Sequence, residues 1–562
     1  MTNKKWIIYP KKSDDIIDQL LINRCIEDKE NFLNPNYDTD IYDPFLLSDM
    51  RKSVKRILLA IKNKEKIGVF ADYDVDGVTA GAILTNFFNY LGTETKIYIP
   101  TREEGYGLNE LGIKELYDAG CKLIITVDLG ITGRKQINFA KKMSIDVIVT
   151  DHHLFKKSDI SKDAYAIIHP RLSDKYPNKC LSGGGVAWKL TQALASSIDL
   201  PSAEKNKKIK NIIKWSLDLA AISSVCDMVP IIGENRAITK FGIKVIPKTQ
   251  NIGLRELMKK ASIKLDSIST YTIGFQIGPR LNAPGRIDHA QASYFLLTTR
   301  HRAEAEKFAV KLDSINSQRQ KELGQVLEEA KKKIEKRKLK DKKIILIEDK
   351  NWSEGLVGLV AGRLKDELCR PVIVFREEKG ILKGSARSTE NFHILEALDS
   401  ASKYLSSHGG HRASAGLSLE KQHLSALYDQ LLEIAESKIK FEDLVPNIHI
   451  DMEISSDDIN KNLIKKLDKF EPYGFGNPRP IFMMRNVKIT SMRKIGAEGK
   501  HLKMILEKDN NHYDSVGFDM GNLYSEISQD SLVDVVFSLE INEWNDNKKI
   551  QLKLMDVKNA QK

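Results

Sequence analysis

Cysteine is scarce in this 562-residue chain, and its spacing excludes several classes of protein. The chain contains no C-x-x-C pair, and its five cysteines are widely scattered, at Cys25, Cys121, Cys180, Cys226 and Cys369. An odd number of isolated cysteines predicts free thiols in a reducing compartment rather than a disulfide framework or a structural zinc site. No apolar run approaches the roughly 18 residues of a transmembrane helix, and the first twelve residues have no apolar signal core. We therefore expect a cytoplasmic protein with no membrane association.

Two common catalytic motifs are also absent. The sequence has neither a G-x-S-x-G nucleophile elbow nor a G-x-x-x-x-G-K-[ST] phosphate-binding loop. The glycine-rich run 182–185 is interpreted as a flexible loop without a partner base. Serine-nucleophile chemistry and ATP-driven work are therefore disfavoured.

The composition is that of a globular protein. With 34 glycines, 16 prolines, 41% hydrophobic and 29% charged residues, the chain resembles neither collagen nor a disordered segment. At about 150 residues per domain the length predicts three to four domains. The formal net charge of +12 favours polyanionic partners such as nucleic acid, although lysine-rich solvated surfaces give the same total.

From residue 66 onward, short β-rich runs alternate with helical segments, a pattern typical of a parallel α/β sheet. The predicted strands are 67–71, 95–99, 123–127, 146–150 and 164–168. Three of them end at acidic or histidine clusters, which are Asp72-Tyr73-Asp74-Val75-Asp76, Asp128 and Asp151-His152-His153. Since ligands bind beyond the carboxyl ends of such strands, these clusters are predicted to converge in one crevice.

The rest of the chain is predicted to form further domains around this sheet. Residues 1–45 are interpreted as helical turns and loops, 46–300 as the parallel-sheet domain, and 301–340 as a long amphipathic connecting helix. Residues 341–440 alternate strand and helix as a second, smaller α/β domain. Residues 441–562 contain five or six short strands, which predict an OB-like β-barrel.

The acidic clusters indicate a metal site. Carboxylates at alternate positions repel one another unless a cation offsets their charge. A calcium loop is disfavoured because Gly77 is followed by an apolar helix start rather than by a glutamate about six residues later. A solvated acidic turn whose aspartate caps a helix remains an alternative for this motif alone. Likewise, Asp128 could cap the next helix, and the paired histidines could make structural hydrogen bonds only.

Taken together, carboxylate and imidazole ligands at one edge suit Mn²⁺ or Mg²⁺, with manganese favoured by the histidines. Two such ions, about 3.5–4 Å apart, would generate a hydroxide nucleophile and neutralise a phosphoryl group. The residues alone therefore predict metal-dependent hydrolysis of a phosphoester.

The sequence resembles the DHH phosphoesterase family over nearly its whole length. The resemblance is carried by 72–77, 127–128, 151–153, 225–230, 278–286, 384–388, 409–411 and 473–478. It implies a parallel-sheet DHH domain, a DHHA1 domain at 341–440 and a C-terminal OB-fold domain. It also implies an exonuclease that hydrolyses single-stranded DNA from the 5′ end to 5′-mononucleotides in recombination and repair. The alternative within the family is a phosphodiesterase for short oligoribonucleotides or cyclic dinucleotides.

The resemblance also implies roles for individual residues in the reaction. The implied ligands of two Mn²⁺ or Mg²⁺ ions are Asp74, Asp76, Asp128, His152 and Asp227, with Asp128 as the bridge. For Asp227 the residues alone favour a helix-end aspartate before Pro230. The implied catalytic residues are Asp72 as a supporting carboxylate, His153 as a ligand or transition-state stabiliser, and His411 at the scissile phosphate.

A second group is implied to bind the nucleic acid. Its members are Arg280, Asn282, Arg286, Ser385, Arg387, Gly409, Gly410 and, more weakly, Arg102. Arginine suits this task because its guanidinium forks onto phosphate. Pairing with Glu103 or Glu104 is the alternative for Arg102, and a structural glycine turn is the alternative for 409–411.

One departure from the family pattern limits these assignments. Where the family commonly has Trp-His-x-Gly, this chain has Trp352-Ser353-Glu354-Gly355, so Ser353 receives no role. From the resemblance we further expect a monomer whose partners are single-stranded DNA, a helicase and a single-strand-binding protein.

Overall fold

The computed structural model describes residues 4–198, 202–544 and 547–560. The chain divides into two compact units. The barrel unit comprises Met1–Asn34, Ala435–Tyr473 and Asn477–Lys562. The two-lobed unit comprises Pro35–Ile434 and Gly474–Gly476.

The strands are numbered in chain order. They are β1 (Lys5–Ile8), β2 (Lys66–Ala71), β3 (Thr95–Tyr98), β4 (Cys121–Val127), β5 (Asp146–Thr150), β6 (Ala166–Ile168), β7 (Ile345–Asp349), β8 (Val372–Glu378), β9 (Ile381–Arg387), β10 (Ser407–His411), β11 (Ser414–Glu420), β12 (Asn447–Ile450), β13 (Met452–Glu453), β14 (Phe482–Ile495), β15 (His501–Lys508), β16 (Asn511–Gly517), β17 (Leu532–Trp544) and β18 (Asn547–Asn559).

The α-helices are numbered in the same way. They are α1 (Ile16–Asn23), α2 (Lys29–Leu33), α3 (Tyr37–Asp40), α4 (Met50–Lys62), α5 (Val75–Tyr90), α6 (Glu110–Asp118), α7 (Arg134–Lys142), α8 (Gly183–Ser197), α9 (Ala203–Trp215), α10 (Leu217–Cys226), α11 (Gly233–Val245), α12 (Ile252–Lys260), α13 (Thr270–Thr272), α14 (Gly278–Asn282), α15 (Pro284–Ile287), α16 (Gln291–Thr298), α17 (Arg302–Lys336), α18 (Glu354–Leu368), α19 (Ile394–Ser400), α20 (Leu424–Lys438) and α21 (Lys461–Asp468). Among the described residues, none of these helices is both long and apolar enough to cross a bilayer.

The first lobe contains the predicted parallel sheet, with strand order β3-β2-β4-β5-β6. Its strands are buried on both faces because helices cover both, so they are continuously apolar rather than alternating. Helices α5, α8 and α10 contribute to the larger core on one face, and α6 and α7 to the smaller core on the other. The α/β fold expected from the alternating pattern is confirmed.

Helix boundaries differ from the sequence-based prediction in two places. The sequence predicts one helical stretch over 211–225, but the structure has two helices, α9 and α10, which meet at Ser216. It also predicts a helix from about Pro44 to Asn63, but α4 begins at Met50, because Pro44–Leu46 forms a separate 3-10 turn. In both places the apolar pattern continues across the break, so periodicity alone does not reveal it.

The connecting helix is α17, which runs for 35 residues. It leads into a second lobe whose sheet has the order β10-β11-β9-β8-β7, with only β7 and β8 parallel. Helix α18 packs against β8 and β9. This is the predicted smaller α/β domain.

The barrel unit closes through five strands. Neighbours in the order β14-β15-β16-β18-β17 are paired, and β14 also pairs with β17. The predicted OB-like barrel is therefore confirmed. The prediction that the N-terminal segment holds only helical turns and loops is wrong, because β1 pairs in parallel with β12. This strand depends on a partner more than 400 residues away, so local sequence does not predict it.

Candidate metal centre

The carboxyl ends of three neighbouring strands lie in one row. Ala71 is paired with Val127, and Val127 with Thr150. The next residue on each strand is Asp72, Asp128 or Asp151, so the register places three aspartates side by side. Potential ligand atoms lie within 4.8 Å of one another in three groups, which are Asp72-Asp74-Asp128, Asp76-His152-Asp227 and Asp128-His152-His153. The predicted metal ligands therefore converge.

Asp74 is both a helix cap and a member of this cluster. Its Oδ1 accepts hydrogen bonds from the amides of Asp76 (2.8 Å) and Gly77 (3.1 Å), which begins helix α5. The capping alternative is thus correct for Asp74, but the turn is not solvated, since Asp72 is 3% exposed and Asp76 2%. Gly77 is required here because a Cβ would lie 2.5 Å from the Asp72 carbonyl oxygen.

Asp76 is oriented by the glycine run that begins α8. Its carboxylate accepts hydrogen bonds from the amides of Gly183 (2.6 Å) and Gly184 (2.8 Å) and from the Ser223 hydroxyl. The interpretation of this run as a flexible loop is wrong, because its glycines form the first turn of a buried helix capped by Ser182. Free amides at a helix N-terminus stabilise a carboxylate, so this turn fixes Asp76 without using its remaining lone pairs.

Asp128 has a left-handed backbone conformation, with φ of 62°, and is 1% exposed. It does not cap the following helix, because α7 begins at Arg134 after Gly133. A non-glycine residue held in this region stores strain, which surrounding contacts must offset. His152 Nε2 lies 3.0 Å from Asp128 Oδ1, 3.5 Å from Asp76 Oδ2 and 3.7 Å from Asp227 Oδ2. Asp227 ends helix α10, so it is a helix-end aspartate that also faces the cluster.

Asp151 orients the two histidines that follow it, a role that sequence reasoning missed. Its carboxylate accepts hydrogen bonds from the amides of Ile131, His152 and His153, and lies 2.8 Å from His153 Nδ1. Burial opposes ionisation of Asp151, but these bonds and the His153 charge hold its pKa below the usual range. Although burial lowers the pKa of His153, Asp151 raises it to about 9. The sequence signal that could have revealed this role is the position of Asp151 directly after strand β5.

Tyr106 is a second residue that the sequence prediction missed. Its hydroxyl lies 3.1 Å from each ring nitrogen of His153, and its ring meets the imidazole edge to face at 5.5 Å. Gly105 and Gly107 on either side have φ of 90° and 96°, and Tyr106 itself is 52% exposed. The sequence signal that could have identified Tyr106 is its position between two glycines.

The electrostatics of the cluster favour a bound cation. Burial and the neighbouring carboxylates of Asp76 and Asp74 raise the pKa of Asp227 to about 9. Burial and the Asp74 carboxylate raise the pKa of Asp72 well above the usual range, and burial with the carboxylates of Asp76 and Asp74 does the same for the pKa of Asp128. The Oδ1 atom of Asp72 is buried and has no hydrogen-bond partner within the part of the chain that the structure describes. Oxygen-rich donors with two imidazoles fit Mn²⁺ or Mg²⁺, and a divalent ion would offset the repulsion.

Arginines gather next to this cluster, between the two lobes. Arg286 is half-buried, donates to the Gly355 carbonyl (3.2 Å), and its buried Nε has no partner among the described residues. Burial, followed by repulsion from Arg102 and Arg319, lowers the pKa of Arg286 to about 10. Uncompensated cations in this position fit a phosphate group.

Arg102 and Arg387 lie close enough to Arg286 for their charges to lower its pKa. Arg102 donates from Nε to the Gly285 carbonyl (2.6 Å), and its guanidinium lies 4.6 Å from the centre of the Tyr73 ring. Within the described ranges, no ion pair joins it to Glu103 or Glu104, which was the alternative. Arg387 donates to Ser385 Oγ and to the Ala386 carbonyl, both at 2.8 Å. The predicted pair of Ser385 and Arg387 is thus in contact.

Arg280 is only partly available to a ligand. Its Nε donates to Asp313 (2.8 Å) and its Nη1 to the Gln276 carbonyl (2.8 Å). Asn282 ends the same short helix, α14. Arg319, which the sequence prediction missed, lies in the electrostatic field of Arg280 and Arg363, and its Nε is buried without a partner in the described structure.

The Gly409-Gly410-His411 segment forms most of strand β10. The interpretation of these residues as a turn is therefore wrong. Gly409 faces Gly416 across the ladder, and His411 faces Ser414. Gly410 has φ of 149°, and a Cβ there would collide with the Ser414 carbonyl. Gly410 therefore serves close strand pairing, a Cβ on Gly409 would meet open space, and His411 is exposed at the end of the strand.

Comparison with known proteins matches three parts of the chain to families. Residues 66–223 match the N-terminal domain of the DHH family, 341–440 the DHHA1 domain, and 450–556 the RecJ OB domain. The single-stranded-DNA-specific exonuclease RecJ of Bacillus subtilis is 37% identical over 549 residues, which cover 96% of this chain and 68% of that protein. RecJ of Haemophilus influenzae is 31% identical, with 93% and 91% covered.

Comparison with solved structures also finds RecJ proteins with a similar fold. The crystal structure of Thermus thermophilus RecJ in complex with Mn²⁺ superimposes with a TM-score of 0.83 at 26% identity, covering all of this chain and 80% of that one. The Mg²⁺ complex of the same protein gives a TM-score of 0.77 at 25% identity, covering all of this chain and 79% of that one.

Proposed function

Because the chain belongs to the RecJ family of DHH-domain exonucleases, we propose that it is a metal-dependent exonuclease acting on single-stranded DNA. It hydrolyses the strand from the 5′ end to 5′-mononucleotides, in DNA recombination and repair. The observation that carries this proposal is the row of aspartates at the ends of β2, β4 and β5, which joins Asp74, Asp76, His152 and Asp227 in one cluster.

The cluster can hold two divalent cations. Asp74, Asp76, Asp128, His152 and Asp227 are the proposed ligands. Asp128 is the proposed bridge, because it is the carboxylate that belongs to two of the three ligand groups, and its two oxygens can each bind one ion. Bound Mn²⁺ or Mg²⁺ would lower the pKa of a coordinated water and neutralise charge on the phosphoryl group.

The remaining residues of the cluster are proposed to orient the catalytic groups and to stabilise charge on the phosphate. Asp151 holds His153 through Nδ1, so Nε2 of that ring is directed away from the carboxylate and can donate to a phosphoryl oxygen. Asp72 adds negative charge that strengthens cation binding. His411 is the proposed second imidazole at the scissile phosphate.

The arginine cluster supplies the anchor for the strand. Arg286, Arg387 and Arg102 are proposed to bind the terminal phosphate, with Ser385 assisting, and Arg280 and Asn282 to contact the backbone. Gly409 and Gly410 would let the backbone of β10 approach the strand closely. An anchor for a terminal phosphate beside the metal cluster explains removal of one nucleotide at a time from the 5′ end.

A small substrate such as a cyclic dinucleotide does not account for the barrel unit. That unit matches the RecJ OB domain, a fold whose strands commonly bind oligonucleotides. We further propose a cytoplasmic monomer that acts with a helicase and a single-strand-binding protein. The sequence has no ATP-binding loop, so any duplex substrate would need an external unwinding activity.

The test is digestion of 5′-labelled and 3′-labelled single strands with Mn²⁺, beside duplex and dinucleotide substrates. The proposal predicts immediate release of a labelled mononucleotide from the 5′ label only. The Asp128→Ala variant should bind the strand without cleaving it. Preference for dinucleotides, or release from the 3′ label first, would contradict the proposal.

A further inference from the structure

Two exposed aromatic rings are stacked on each other just before the Gly278–Asn282 helix. Tyr271 and Phe275 are 62% and 64% exposed. Their ring centres are 4.8 Å apart and their planes differ by 22°. Exposed aromatic side chains that already stack present a flat π surface to solvent, which is the form of a base-binding platform.

The backbone under these rings is unusual and firmly anchored. Ile273–Ile277 forms a turn of π-helix, a rare conformation that is frequent at functional sites. Ile273 and Ile277 are fully buried in the core of the first lobe. The buried isoleucines fix the segment, so the rings on its outer face have a defined position.

The same segment packs against the end of helix α10, next to the proposed metal ligand Asp227. A Cβ built on Gly274 would lie 3.8 Å from Val225, and one on Gly278 would lie 2.5 Å from the Sγ atom of Cys226. Both neighbours belong to the last turn of α10, which ends at Asp227. The glycines therefore allow the π-helical turn to approach the helix end that presents a proposed metal ligand.

The two rings also lie close in sequence to Arg280, which is near Arg319. Arg280 lies one turn beyond them and donates a hydrogen bond back to the Gln276 carbonyl. Arg319 lies close enough to both Arg280 and Arg363 for their charges to repel it. Stacked rings beside several arginines favour a single-stranded polyanion with exposed bases over an apolar protein partner.

We propose that Tyr271 and Phe275 form a stacking platform for bases of the single strand beyond the nucleotide being removed. The inference rests on the proposed function and assigns one more part of the substrate site. Stacking accepts any base, because every base has a π face, so the platform would hold the strand without sequence preference. Loss of the platform would weaken the binding of long strands and leave the rate of hydrolysis at the first phosphate unchanged.

The experiment compares Tyr271→Ala/Phe275→Ala with the wild-type chain, using Tyr117→Ala, an exposed tyrosine on α6, as the control. Anisotropy of a 5′-phosphorylated 20-nucleotide strand, in an Asp128→Ala background that prevents digestion, should show affinity weakened about tenfold or more. The slope of affinity against salt should stay unchanged, since no phosphate contact is lost. Tyr117→Ala should bind as the wild type does.

An abasic scan identifies the contact directly. The wild-type chain should lose affinity when a base is removed at one or two particular positions, and the double variant should be insensitive at those positions. During digestion, KM for long strands should rise while kcat and dinucleotide cleavage stay constant. Thermal unfolding confirms that the double variant folds.

Unchanged affinity, or an abasic profile identical to that of the wild type, would overturn the platform. That outcome is distinct from failure of the proposed function, in which the wild-type chain would not degrade single strands with Mn²⁺ at all.

Discussion

Gly183 lies so close to Asp128 that a Cβ on the glycine would be 2.5 Å from the Cβ of the aspartate. The same glycine donates its amide hydrogen to Asp76 at 2.6 Å. One residue without a side chain thus allows two proposed metal ligands, from different strand ends, to share a single helix N-terminus. The metal centre depends on this close approach as much as on the carboxylates themselves.

The first prediction follows from that approach. Gly183→Ala should displace Asp128 or Asp76 and lower both Mn²⁺ affinity and kcat at least tenfold, because the added methyl group has no space. Gly324→Ala is the matched control, since its helix position is open and alanine there should stabilise α17 by about 0.5–1 kcal/mol. Metal titration and steady-state kinetics measure both variants. Wild-type Mn²⁺ binding by Gly183→Ala would show that the packing is not needed.

Tyr106 is predicted to assist His153 through its hydroxyl. Tyr106→Phe removes the hydroxyl that lies 3.1 Å from the imidazole but retains the ring contact. A hydrogen bond contributes about 0.5–1.5 kcal/mol, so kcat should fall about two- to tenfold with KM little changed. Single-turnover kinetics with a short strand provide the measurement. An unchanged rate would show that the contact is incidental.

Arg286 should bind DNA at the expense of stability. Arg286→Met removes a half-buried cation that Arg102 and Arg319 repel, so the free energy of unfolding should rise by about 1 kcal/mol. Affinity for 5′-phosphorylated single strands should fall, and the slope of log affinity against log salt should flatten by about 0.7. Calorimetry and salt-dependent binding check the two effects. A variant that is less stable and binds normally would indicate a structural role only.

Asp218 should make stability depend on pH. It is buried on α10 and accepts hydrogen bonds from the Thr249 hydroxyl and the Leu219 amide, and burial raises its pKa to about 6. Since this pKa exceeds the unfolded value near 3.9, the protonated form favours folding and the benefit is lost as pH rises through 6. The loss is about 3 kcal/mol between pH 4 and pH 8. Asp218→Asn should flatten the pH dependence of thermal unfolding over that interval, and an equally steep dependence would refute the assignment.

Much of this architecture could be predicted from local sequence. Each strand of the first sheet is a short apolar run, and the rule for parallel strands is enough to bring Asp72, Asp128 and Asp151 to one edge. The arginine positions came from the family resemblance. What sequence could not supply is contact between distant residues, such as Gly183 with Asp76, Tyr106 with His153, or β1 with β12. These depend on register and backbone conformation, which a hydrophobic pattern does not encode.

The dependence on contacts between distant residues also explains the two wrong predictions for glycine-rich segments. Gly409 and Gly410 suggest a turn because glycine is common in turns, yet here both lie in a strand, and Gly410 allows that strand to pair closely with its neighbour. The run beginning at Ser182 suggests a loop for the same reason, yet it is a helix start whose amides hold a carboxylate. In both places the small residue provides space for a neighbour rather than flexibility, and only the fold shows which neighbour.

The central claim is that the strand-end carboxylates act together as one site for divalent cations. Titration of the metal-free chain with Mn²⁺, followed by calorimetry or electron paramagnetic resonance, tests it most directly. The account predicts two ions per wild-type chain and, because Asp128 belongs to two ligand groups, loss of tight binding of both in Asp128→Ala. Two tightly bound ions in Asp128→Ala, or no tight Mn²⁺ binding by the wild-type chain, would contradict it.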